Sequence, residues 1–183
     1  MDSPIISLFE YFAHFVPKSV LQKIFIQPRG SRPACYDAIE AEILASSSRD
    51  VLPEIGAYIV SMNENFVSEH IKNVNEYILF VEYGNFHANY ETSRGIRESL
   101  AITVAHSFSH TNADNLSEIL WRQQCCYLLQ KIIDAMHRDQ NTVEFCTNTL
   151  LVDNHSDIQV VSPVNFYGCG GWSAMFNNAN TEV

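Results

Sequence analysis

Between residues 5 and 16 the apolar positions Ile5, Leu8, Phe9, Phe12, Phe15 and Val16 recur at helical spacing, which gathers them on one face of an amphipathic helix. Ser3 followed by Pro4 is a start signal for that helix, and Pro17 marks a break. After the break "SVLQKIFI" predicts a second, shorter helix, and "QPRGSRP", with two prolines bracketing a glycine, predicts a loop. Residues 34 to 45, "ACYDAIEAEILA", repeat the helical period.

From Leu52 the pattern changes. "GAYIVSM", "EYILFVEY" and "SLAITVAHSFS" are rich in β-branched and aromatic residues, as half-buried strands are. The intervening "NFVSEHIKNV" fits either a short helix or a hairpin arm. The polar "GNFHANYETSRGIRE" predicts a long hairpin connection. A long helix follows over about residues 115 to 138, with Asn115 and Glu118 as a capping box and Leu116, Leu120, Cys125, Leu128, Ile132 and Met136 along one broad face. The tail predicts three more strands, punctuated by "DNHSD" and "GCGG" and ending in "WSAMF". The order of elements predicts an α+β fold, a mostly antiparallel sheet packed against one long helix. An added N-terminal helical region, residues 1–48, packs on or extends a core domain of residues 49–183. No repeat or linker interrupts them.

At 183 residues and 46% apolar composition the chain can bury one complete core. Its 11 basic and 21 acidic side chains give a net charge of −10, which repels a phosphate backbone and argues against nucleic-acid recognition. Cys35, Cys125, Cys126, Cys146 and Cys169 are odd in number and include an adjacent pair inside a predicted helix, which suggests a reducing compartment. The start "MDSPIISLFEYFAHFVPK" has an acid at position 2 and only a short, interrupted apolar run. It reads as a core or interface helix, neither a signal peptide nor a membrane span.

Chemistry is most suggestive in "AHSFSHTNADN", residues 105 to 115, with His106, His110, Ser107, Ser109 and Asp114. On a strand, Leu100, Ile102, Val104, His106, Phe108 and His110 share one face and the small residues the other. The two histidines are then about 13 Å apart, too far to share a metal ion. Neighbouring Ser and His point to opposite faces, and the glycine-flanked elbow of a serine nucleophile is missing. Asn112, Asp114 and Asn115 are therefore read as caps of the long helix. "YGCGGWS" superficially resembles the nucleophile segment of papain-like cysteine proteases, but Cys169 has no histidine after it. Gly168, Gly170 and Gly171 read as a turn or bulge. On a helix Cys125 and Cys126 point about 100° apart, one toward the core and one half-exposed. No phosphate-binding glycine loop is present.

The succession "SLAITVAHSFSHTNADNLSEILWRQQCCYLLQKII" and then "VVSPVNFYGCGGWSAMFNN" resembles the tail-completion or tail-terminator proteins of long-tailed bacteriophages. In that family a strand, a polar turn and a helix precede a last hairpin whose final strand begins near a Gly-Trp pair, here Gly171 and Trp172. The resemblance covers residues 50 to 180, and the helical region 3–45 is extra. It implies a structural virion protein of the tail or neck with no catalytic site, metal or cofactor. Such a protein forms a ring, often a hexamer, that caps the tail tube and meets neck and connector proteins. Phe9, Phe12, Phe15, Trp121 and Trp172 are the candidate contact residues, each with a core role as its alternative. Two other readings stand beside it: a soluble adaptor binding through its N-terminal helices, and a small hydrolase built from His106, His110, Cys169 and Asp157.

Overall fold

The computed structural model describes residues 4–25, 32–46, 50–71, 74–88, 96–107, 114–140, 157–161 and 166–181. Three helices, α1 (Pro4–Ala13), α2 (Lys18–Ile24) and α3 (Tyr36–Ala45), precede the sheet. The chain continues through β1 (Ile55–Val60), α4 (Glu64–Ile71), β2 (Tyr77–Ala88) and β3 (Ile96–Ser107). It then forms α5 (Asn115–Gln140), β4 (Asp157–Val161) and β5 (Cys169–Thr181). The strands lie in the order β1-β2-β3-β5-β4.

This is the expected α+β architecture, with one refinement. Three neighbouring pairs are antiparallel, but β1 and β2 run parallel. Parallel neighbours cannot be joined by a tight turn and need a crossover. That need settles "NFVSEHIKNV" as the helix α4. Asn63 starts it by accepting the backbone N–H groups of Asn65 and Phe66 on Oδ1 at 3.1 and 3.2 Å.

The polar segment after Tyr83 departs from expectation. It is not all connection: β2 continues to Ala88 and β3 begins at Ile96, with Ala88 opposite Ile96 and a register shift between Tyr83 and Phe86. Backbone ladder bonds carry these arms, and they are blind to side-chain polarity. In the tail, β5 starts before Trp172 and runs to Thr181. The first of the three expected tail strands and Cys146 lie outside the described residues.

The alternation in β3 divides the core as its sequence implies. Leu100, Ile102 and Val104 are buried beneath α5, together with Leu79 and Val81 of β2 and Ala174 and Phe176 of β5. Ala105 points to the opposite face, where Ile59, Val67, Ile71, Ile78, Phe80, Phe166 and Cys169 form a second cluster. The buried Thr103 hydroxyl donates to Ser173 Oγ at 3.0 Å across β3 and β5, so its burial leaves no unsatisfied donor.

The N-terminal helices share the α5-side core. Leu8, Phe12, Phe15, Val16, Val20 and Leu21 are all buried with Leu128, Leu129 and Ile132. Phe12 and Phe15 take the core alternative of the expectation: both are buried within this chain. Phe9 is half-buried, with its ring 5.2 Å from that of Tyr58, while Tyr58 Oη donates to the Phe9 carbonyl at 2.7 Å. These contacts and the packing of α2 on β1 cover one side of the sheet.

Helix α5 has the expected buried positions Cys125, Leu128, Ile132 and Met136, but not its first two. Leu116 and Leu120 are 64% and 54% exposed. The reason is geometric. Trp121 is the residue that meets His106 near the end of β3, so the turns before it extend past the sheet.

Candidate functional site

Of the stretch 105–115, the described residues 105–107 and 114–115 take packing and capping roles. His106 sits opposite Tyr77 of β2 and Gly170 of β5. Its ring stacks on Trp121 at 5.2 Å between centroids with 16° between planes, and it meets Tyr77 edge-on at 4.8 Å. Nδ1 lies 2.8 Å from the Ser107 carbonyl oxygen. A carbonyl only accepts, so this nitrogen carries the proton and donates.

Asp114 caps α5. Oδ1 accepts the Ser117 backbone N–H at 3.0 Å and Oδ2 accepts the Ser117 hydroxyl at 2.8 Å. These bonds to Ser117 hold its carboxyl below the ordinary aspartate range. The cap therefore falls on Asp114, and Asn115 is the first helical residue, not the head of a capping box. Ser109, His110 and Asn112 lie outside the described residues.

The glycine segment separates into two parts. Tyr167 and Gly168 have positive φ angles of 49° and 82°, and the Cys169 N–H donates to the Phe166 carbonyl at 2.7 Å, which closes the turn. Gly170 and Gly171 are not in a turn or bulge: they pair with His106 and Ala105 inside β5. At Gly171 a Cβ would stand 2.1 Å from the Val104 carbonyl oxygen. Two strand backbones approach there too closely for any side chain.

Cys169 itself is buried, and desolvation pushes its thiol up to about 11. Cys125 is likewise buried and raised to about 12, chiefly by desolvation, while Cys126 is half-exposed, as the helical angle implied. A thiol needs the opposite shift to act as a nucleophile at neutral pH. Among the described residues of the hydrolase reading, Asp157 stands apart from His106. Asp157 pairs with Met175, five residues along β5 from the Gly170 that faces His106, a separation of about 17 Å along the strand. Among the described residues no three His, Cys, Asp or Glu side chains cluster as metal ligands.

Two features of the same region were not flagged by the sequence pattern. The first is an open cleft of about 620 Å³ between α5 and the starts of β1 and β2, lined by Glu54, Tyr77, Leu120, Trp121, Gln123, Gln124 and Tyr127. Glu54 Oε2 is shielded from solvent and has no hydrogen-bond partner among the described residues. Tyr77 has its hydroxyl pushed up by burial first, then by the Cys125 and Glu54 charges, so the Glu54 carboxylate and the Tyr77 phenol share one field. No motif announces this site, because Glu54 and Trp121 are brought together only by the sheet register and the course of α5.

The second is an apolar row beside β4. Val160 and Ile158 are 58% and 41% exposed and pair with Trp172 and Ala174. The half-buried Trp172 donates from Nε1 to the Arg122 carbonyl at 2.9 Å, and the exposed Ile119 lies one helical turn before Arg122. The row thus continues from strand to helix.

Comparisons with protein-family models, curated proteins and solved structures return no match to the chain. No described helix is long and apolar enough to cross a membrane.

Proposed function

We propose that this chain is a non-enzymatic assembly subunit that joins a second copy along the outer edge of β4. The observation that carries the reading is the inequality of the two sheet edges. Of the two outer strands, β1 has α2 packed on it, whereas β4 is flanked only by β5 among the described residues and carries exposed Val160 and Ile158. An uncovered edge strand offers unpaired N–H and C=O groups to another chain, and the neighbouring apolar row supplies area to bury. If the donor and acceptor surfaces differ, the contact repeats head to tail, and a rotation that closes gives a ring. A ring is what the tail-completion and tail-terminator resemblance implies, so a place in the tail or neck of a virion, capping the tube and meeting the connector, is the role we assign.

Support for the adaptor reading is weaker, because the apolar residues of α1 and α2 are already used in the chain's own core. Light scattering of the full chain across a concentration series tests the proposal. An oligomer that Val160→Lys dissociates, with the circular dichroism spectrum retained, is expected. A monomer at every concentration, or an oligomer indifferent to Val160→Lys and Ile158→Lys, would overturn it. Electron microscopy of the oligomer then counts the subunits of the ring.

A further inference from the structure

The cleft beside Trp121 is independent of the β4 edge and has its own chemistry. Among the described residues its only carboxylate is Glu54, and no described Lys or Arg lines it. A buried carboxylate oxygen without a donor is uncommon in folded proteins and calls for a missing partner. Glu54 as a residue is half-exposed. One oxygen of the carboxylate is thus shielded, while the residue itself lines the cleft and carries its charge there.

Around that carboxylate stand the rings of Tyr77, Trp121 and Tyr127 and the amides of Gln123 and Gln124. Aromatic faces attract cations, and glutamine carbonyls accept N–H donors. One ring of the rim already shows the effect: the Lys131 ammonium lies 4.4 Å from the Tyr127 centroid. Among the lining residues an anion would meet the like charge of Glu54. An apolar ligand would leave the Glu54 carboxylate without a countercharge. A divalent metal ion would need more oxygen or nitrogen ligands than one carboxylate supplies, and no described three-residue cluster provides them.

We propose that this cleft binds an organic cation, a guanidinium or alkylammonium group, held by the Glu54 carboxylate and the rings of Tyr77 and Trp121. The net charge of −10 draws such a cation toward the surface before it is bound. Free amines and arginine or lysine side chains of another protein present the same group, and the cleft, open on one side, admits either.

The test is a nuclear magnetic resonance titration of the ¹⁵N-labelled full chain with argininamide, with tetramethylammonium chloride, with the peptide acetyl-Gly-Arg-Gly-amide, and with neutral citrullinamide. Saturable shifts of the Trp121 indole and the Gln124 side-chain amide are expected with the cations and not with citrullinamide, while the Trp172 indole stays in place. Glu54→Gln, which keeps the shape and removes the charge, should weaken binding roughly tenfold or more. Gln124→Lys, which introduces an internal competitor, should abolish it with the spectrum otherwise unchanged. Tighter binding of argininamide than of the peptide identifies a free small cation, and the reverse identifies a side chain of a partner. The absence of saturable shifts with every cation, equal response to citrullinamide, or unchanged affinity in Glu54→Gln would each overturn the proposal.

Discussion

The Trp172 indole N–H reaches the Arg122 carbonyl at 2.9 Å, tying the middle strand of the final hairpin's pair to the side of the long helix. Its ring also underlies Val160, its partner in the ladder. The bond adds a directional tie to the packing of α5 over β5. Trp172→Phe keeps an aromatic ring and removes the donor, together with a small part of the apolar surface. It should cost about 1 kcal/mol of stability, the usual net value of one such bond. Urea unfolding of the two proteins measures the difference, and equal midpoints would show that the bond contributes nothing.

A second long-range tie joins the chain's beginning to the end of α5. Tyr11 Oη donates to Asp139 Oδ2 at 2.8 Å across 128 positions of sequence. Burial and the adjacent carboxylate push the Tyr11 hydroxyl well above its ordinary range, so it remains a donor at any pH the protein meets. Bonds to charged acceptors exceed neutral ones, so Tyr11→Phe should lose about 1.5–2 kcal/mol. The loss should appear as a lower melting temperature with an unchanged far-ultraviolet spectrum.

The sequence-level reading succeeded where one periodicity determined one answer. Leu100, Ile102 and Val104 against Thr103 and Ala105 could be sorted by face before any coordinates, because strand alternation has a period of two. Phe12 and Phe15 are apolar on any reading, and only the packing of α1 on the sheet shows that they belong to the core. Alternation carries no direction, so the parallel pairing of β1 and β2 was not legible. Leu116 and Leu120 fit the helical stripe as well as Leu128 does, and their exposure depends on where the sheet ends, a tertiary fact. The same holds for the site. His106 stood out as a residue, but its stacking on Trp121 and the nearby Glu54 cleft arise from elements far apart in the chain.

The two glycines of the 168–171 segment should respond to alanine for different reasons. At Gly168 there is open space, and the cost is a φ of 82° that an L side chain rarely adopts, about 1 kcal/mol. At Gly171 the added Cβ meets backbone on β3, at 2.1 Å from the Val104 oxygen and 2.6 Å from the Ala105 Cα. Neither neighbour can rotate away. Gly171→Ala should therefore separate β3 from β5 and cost about 3 kcal/mol or more. Denaturant unfolding of both variants checks the order, and a milder effect at Gly171 would contradict the close approach.

Thiol accessibility gives a reading of the fold that needs no assay of function. Cys35 is exposed, Cys126 half-exposed, and Cys125 and Cys169 are buried with raised thiols. Among these four described thiols, brief treatment with iodoacetamide at pH 8 should label Cys35 first and Cys126 more slowly. Cys125 and Cys169 should react only when the chain is unfolded. Peptide mapping by mass spectrometry assigns the sites. Rapid native labelling of Cys169 would restore it as a candidate nucleophile.

The last expectation concerns acid sensitivity and follows from His14, at the turn after α1. Its backbone N–H donates to the Tyr11 carbonyl at 3.1 Å, and its ring lies 6.4 Å from the Tyr11 ring. Burial lowers its pKa below the ordinary 6.5, against the opposing pull of Asp139 and Asp50. As pH falls through about 6.5 the unfolded chain takes up the proton before the folded one does, so it binds more protons and gains population. The stability attached to His14 is thus fully present above pH 6.5 and is lost as pH drops below that value through the folded pKa. Melting temperatures at pH 7.5 and 5.5, a range in which ordinary carboxylates stay ionised, isolate the effect. The native protein should lose more stability over this interval than His14→Gln does, because the glutamine has no proton to gain. Equal losses in the two proteins would mean that the Asp139 and Asp50 charges fully offset the burial of the imidazole.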